Sequence, residues 1–113
     1  MPGHIISVHI AGLDAELHQS LAAALESLSC RPTDTPQPAQ IVFTGWDPRE
    51  FSRRAAEFPG KPIVVVSRSA DVSTWLDALE AGAADYCAPP FEAIQIRWIL
   101  DALLTRKSRS AAA

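Results

Sequence analysis

Ile63-Val64-Val65-Val66 is the segment that most narrows the folds open to this 113-residue chain. Pro62 precedes it, Ser67 follows it, and its side chains are all apolar, without the alternation of a strand that has one wet face. Such a strand is buried on both sides, as central strands of parallel sheets are, and a parallel sheet needs crossover helices. Asp71 to Ala81 supplies one: Val72, Leu76 and Leu79 recur at intervals of four and three, and Gly82 stands where a helix can end.

The same alternation runs toward both ends. Residues 5–10, Ile-Ile-Ser-Val-His-Ile, suit a strand that Gly12 breaks. Asp14 can cap a following helix whose Leu17, Leu21, Leu25 and Leu28 line one side. Residues 31–39 hold three prolines, which leaves at most a short edge strand near Leu28 to Pro32 and no room for a full strand and helix. Ile41-Val42-Phe43-Thr44 is a second apolar strand ended by Gly45. Asp47 and Pro48 suit the start of a helix carrying Phe51, Ala55 and Phe58 on one face, stopped by Pro59-Gly60. Tyr86-Cys87-Ala88 can form a last strand before Pro89-Pro90. A final helix over 92–105 then offers Ile94, Trp98 and either Ile99 or Leu103 as apolar contacts, with Arg106, Lys107 and Arg109 at its cation-favouring end. Strand-helix alternation at this length predicts one small α/β domain over residues 1–113.

Charge and composition exclude several function classes. The net charge is −3 and the basic residues form no stripe, which argues against nucleic acid or an anionic membrane as partner. No apolar run approaches the roughly 18 residues of a membrane span, and the start lacks the basic-then-apolar pattern of a secretory signal. Cys30 and Cys87 have no neighbouring Cys at metal-binding spacing, so a reduced, cytoplasmic protein without a cofactor is expected. His4 and His9, five apart on a predicted strand, point to opposite faces and read as surface residues, and His18 reads as a solvated helix residue; no metal site is expected.

Ser67 at the end of the fourth strand, the run Ala81-Gly82-Ala83-Ala84-Asp85-Tyr86, and Pro90-Phe91 together resemble the second half of a response-regulator receiver domain of the CheY-like family. The resemblance spans nearly the whole chain and is strongest over 61–91. It implies a flavodoxin-like three-layer sandwich, a doubly wound parallel sheet of order 2-1-3-4-5, with the second strand and helix shortened. In that family Ser67 corresponds to the hydroxyl residue that contacts the phosphoryl group, Tyr86 to the aromatic switch residue, and Pro90-Phe91 to the pair that follows an invariant Lys.

The resemblance also implies positions at which the family's chemistry has no residue to carry it. His9 and Ile10 are matched to the two metal-holding acids, Gly45 to the phosphoacceptor Asp, and Pro89 to the Lys. Phosphoryl transfer to a carboxylate needs an acceptor oxygen, oxygen ligands for a hard cation and positive charge to offset what develops on the equatorial oxygens. A vestigial site of His9, Ile10, Gly45, Ser67, Tyr86 and Pro89 therefore points to a non-enzymatic, phosphorylation-independent module. Two rivals stand beside it: phosphorylation of Asp47, and an anion or small-molecule switch at Ser67 and Arg68 with Trp46 at its mouth.

Large apolar groups identify the surface of interest. Trp75 lies beside Leu76 on the 71–81 helix, and Trp98 beside Ile99 on the last helix, so they cannot all face a sheet. Aromatics at helix flanks commonly anchor interfaces. The resemblance implies a protein-partner or homodimer face formed by the 71–81 helix, the 86–88 strand and the 92–105 helix, with Trp75, Tyr86, Ile94 and Trp98 as contacts.

Overall fold

The computed structural model describes residues 6–33, 39–69 and 71–112. Five parallel strands, β1 (Ile6–Ala11), β2 (Cys30–Thr33), β3 (Ile41–Gly45), β4 (Ile63–Val66) and β5 (Asp85–Cys87), lie in the order β2-β1-β3-β4-β5. Four helices cover them: α1 (Ala15–Ser27), α2 (Phe51–Ala56), α3 (Val72–Glu80) and α4 (Ala93–Ala112). The expected doubly wound architecture and strand order are observed.

Two cores follow from strand alternation. Val8, Ile10, Ile41, Phe43, Val64 and Val66 send side chains to one face, where Leu21 and Leu25 of α1 and Ile96, Ile99, Leu100 and Leu103 of α4 meet them. Val42, Ile63 and Val65 face the other way, toward Phe51, Phe58, Ala78 and Ala83. All four residues of β4 are buried, as the unbroken apolar run requires.

The second strand exists as a short edge strand that starts two residues later than expected, and Pro32 is tolerated there because an edge leaves one side of the backbone unpaired. Among the described residues no helix follows β2; residues 34–38 of the proline-rich segment lie outside them. The sheet face opposite α1 there carries Ser7, His9, Arg31 and Thr33, paired across β1 and β2. Polar side chains suit a face that no described helix covers. His9 Nδ1 bonds the Thr33 carbonyl at 2.9 Å, and its ring lies 6.0 Å from that of Phe58.

Three helix expectations are corrected. The segment opened by Asp47 is a turn before it is a helix: Asp47 Oδ1 accepts from the Arg49 N–H at 3.0 Å, and regular helix starts only at Phe51. On α3, Val72 and Leu76 face solvent while Ala78 is buried, because the helix sets its small side against the sheet. On α4 the buried stripe is Ile96, Ile99, Leu100 and Leu103, and Ile94 and Trp98 point away from it. Helical periodicity identifies a stripe but cannot say whether the stripe faces a sheet or water.

Candidate site at the strand tips

The carboxyl ends of β1, β3 and β4 converge through their register, Ala11 beside Thr44 and Gly45 beside Val66. β1 leaves the sheet through Gly12, whose φ of +69° is a left-handed conformation that glycine adopts without steric cost. Gly12 and Leu13, rather than His9 and Ile10, are the residues that meet Gly45. A Cβ on Gly45 would lie 2.6 Å from the Gly12 carbonyl oxygen and 3.5 Å from Leu13 Cδ2. The first separation is shorter than carbon and oxygen can approach, so the backbone itself fits glycine at position 45. His9 and Ile10 are placed earlier, inside β1, and Ile10 belongs to the core, which corrects their expected position at the tip.

Asp14 caps α1, its Oδ1 accepting from the Leu17 N–H at 2.9 Å. The same carboxylate is gripped by Arg68, which follows Ser67 beyond β4: Arg68 Nη1 donates to Oδ2, and Nη2 donates to Oδ1 at 3.1 Å. Glu16 Oε1 stands 3.8 Å from the same Nη2. The Arg68 guanidinium, with the Leu17 N–H second, holds the Asp14 carboxyl well below the ordinary range, at about 2. Arg68 is thus engaged by a carboxylate of this chain, and Ser67 Oγ accepts from the Ser69 N–H at 3.1 Å, a local turn contact.

Tyr86 closes this corner. Its hydroxyl donates to the Ser69 carbonyl, and its backbone N–H donates to Asp85 Oδ1 at 2.8 Å. Tyr86 is half-buried against the α2–α3 core, with its ring end tied to the β4–α3 loop. Pro89, half-buried, precedes Pro90 through a cis peptide bond. Trp46, expected open at the mouth, is half-buried and stacks at a tilt on Phe51 with ring centroids 5.6 Å apart. Asp47 is exposed and spent on its own turn.

A second arginine at the tips has no counterpart in the sequence reading. Arg54 of α2 donates from Nη1 to Thr44 Oγ1 at 2.9 Å, and Thr44 is the one fully buried polar side chain among the described residues. The guanidinium lies where a Cβ of Gly12 would be, with Nη1 only 2.0 Å from that point. Gly12 therefore serves both the sharp exit of β1 and the approach of Arg54. The one available signal, Glu50 four residues before Arg54, suggests an ordinary surface ion pair, but Glu50 pairs with Arg53.

Neither cysteine is a ready nucleophile: burial, with Asp85 second, pushes the Cys87 thiol up to about 12, and burial also raises that of Cys30. No group of three or more His, Cys, Asp or Glu able to hold a metal occurs among the described residues.

The other feature is the face built by α3, β5 and α4. Val72, Trp75, Leu76, Ile94 and Trp98 are 58%, 42%, 49%, 59% and 67% exposed, and they are all the exposed large hydrophobics among the described residues. A groove of about 320 Å³ runs between the helices over β5, lined by Val72, Trp75, Tyr86 and Gln95 among others. Gln95 and Trp98 share a face of α4 at a spacing of three.

The strand order and the flanking helices are those of the CheY-like, flavodoxin-like fold. A receiver-domain protein from Methanospirillum hungatei superposes with a TM-score of 0.72 at 14% identity, over 95% of this chain and 99% of that one. The receiver domain of a sensor histidine kinase from Pseudomonas aeruginosa, with magnesium coordinated in its active-site cleft, gives 0.71 at 18% identity over 90% and 99%. NtrX from Brucella abortus, in complex with ATP, gives 0.81 at 15% identity over 96% of this chain, which spans 28% of that protein. No family model matches the sequence, and no curated protein matches it.

Proposed function

We propose that this chain is a receiver-like signalling module that works without phosphorylation and passes its signal by protein contact through the α3–β5–α4 face. The observation that carries this reading is the confinement of every described exposed large hydrophobic to α3 and α4, flanking a three-residue edge strand. Scattered single exposed hydrophobics are ordinary; five confined to the two helices that flank β5, two of them lining a groove there, favour this side of the molecule as an interaction site. At the strand tips Gly45 offers no acceptor oxygen, and Asp14, the nearby carboxylate, is already paired with Arg68.

A second copy of the chain is the first occupant to test. Sedimentation of the wild type against a Trp75→Ala/Trp98→Ala variant is expected to show a concentration-dependent dimer reduced to monomer by the two substitutions. A wild type that stays monomeric at high concentration leaves a different protein as the occupant. The rival reading, phosphorylation of Asp47, is separated by incubation with a small phosphodonor and magnesium followed by intact-mass measurement. An added phosphoryl mass that disappears in Asp47→Asn would replace the phosphorylation-independent reading.

A further inference from the structure

We infer that Arg54, positioned over Gly12 by its bond to the buried Thr44, is a non-covalent binding site for a small oxyanion at the switch point of the sheet. In an open α/β sheet, ligands gather beyond the carboxyl ends of the strands where the strand order reverses. Here that point lies between β1 and β3, since the chain builds outward from β1 to β2 on one side and from β3 to β5 on the other. Arg54 bridges those two strand ends, touching Thr44 at the end of β3 and lying over Gly12 beyond β1.

Three observations make Arg54 a ligand group rather than half of an internal pair. It is half-buried, and the ion pairs found among the described residues, Glu50 with Arg53 and Asp14 and Glu16 with Arg68, do not include it. A partly desolvated guanidinium without a carboxylate carries a charge that a bound anion would compensate. Among the described residues its side chain bonds through Nη1 to a neutral hydroxyl, which leaves most of its five N–H donors for a second acceptor. Gly12 itself is exposed, so the guanidinium that rests on it lies beside a solvent-facing stretch of backbone. The neighbouring cation, Arg68, is excluded as the primary anchor because Asp14 holds it in a two-point contact.

The ligand class is an oxyanion whose two oxygens can meet the planar fork, a phosphate or a carboxylate group. The site gives the module a reversible input that requires no covalent acceptor. This goes beyond the contact reading above and can fail separately from it: loss of anion binding leaves the sedimentation result standing, and the reverse holds too.

The test is a titration followed by amide and arginine side-chain nitrogen-proton spectra, with inorganic phosphate, acetate and chloride added in separate arms at constant ionic strength. Saturable shifts at Gly12, Gly45 and the Arg54 side chain with phosphate or acetate, absent with chloride, are expected. The stronger of the two arms identifies the group. Arg54→Gln, which keeps an amide donor for Thr44 without the charge, should weaken binding at least tenfold. Arg54→Lys, which keeps the charge without the fork, should weaken it several-fold and stands in if the Gln variant does not fold. Wild-type spectra that shift linearly without saturation, shifts centred on Arg68 and Asp14, or unchanged affinity in the folded Arg54 variants would each overturn the assignment.

Discussion

Asp14 and Arg68, fifty-four residues apart, meet in a two-point contact that ties the start of α1 to the loop after β4. The carboxylate also caps α1, so one side chain orients a helix and anchors a loop. Through Ser69 that loop also holds the Tyr86 hydroxyl. Substitutions at Asp14 and Arg68 are therefore expected to reach β5.

The acid limb of stability should report this contact. Asp14 has its pKa depressed from 3.8 to about 2, so its contribution is fully present above about 4 and lost as pH falls through 4 toward 2. A carboxyl-carbon titration should place the Asp14 midpoint near 2 in the wild type and closer to the ordinary value in Arg68→Ala. Both groups are exposed, so added salt should shrink the difference. Asp14→Asn should retain the cap and lose the acid-limb dependence, whereas Asp14→Ala should lose both. A wild-type midpoint near 4 would show that the pair does not form in solution.

Glycine at position 45 is a steric requirement as well as a chemical absence. Gly45→Ala places a methyl group 2.6 Å from the Gly12 carbonyl oxygen, and the backbone shift this forces should cost about 1–3 kcal/mol in urea unfolding. Gly45→Asp should be at least as destabilising. A Gly45→Asp variant as stable as the wild type would mean that β1 and β3 separate readily at their tips.

Thr44 and Arg54 should be energetically coupled. Thr44→Val keeps the buried shape and removes the acceptor for Arg54 Nη1, and loss of a hydrogen bond to a charged group should cost about 1.5–3 kcal/mol. In a double-mutant cycle with Arg54→Met, the two losses should fall short of additivity by about 1 kcal/mol or more. Additive losses would mean that Arg54 rests on Gly12 without engaging Thr44.

Local chemistry made much of this protein legible along the chain. The unbroken Ile63–Val66 run required a buried parallel strand, the cap at Asp14 set the start of α1, and Leu17, Leu21 and Leu25 are the buried stripe of that helix as their spacing requires. Those signals depend on near neighbours, and near neighbours are what a sequence displays. The rotations of α3 and α4 were not legible, because Val72 and Leu76 form as good an apolar stripe for solvent-facing contact as for a core. At the strand tips the resemblance points to His9 and Ile10, and only the pairing of β1 with β3 shows that Gly12 and Leu13 are the residues that reach Gly45.

What the residues alone settled, then, is the alternation of strands and helices, a sheet buried on both faces, and the absence of a side chain at position 45. Tertiary structure decided which charges meet: Arg68 with Asp14, and Arg54 with Thr44 over Gly12. The physical reason is that such contacts join positions far apart in the chain, and their existence depends on strand register and helix rotation, which are set by the packing of the whole core.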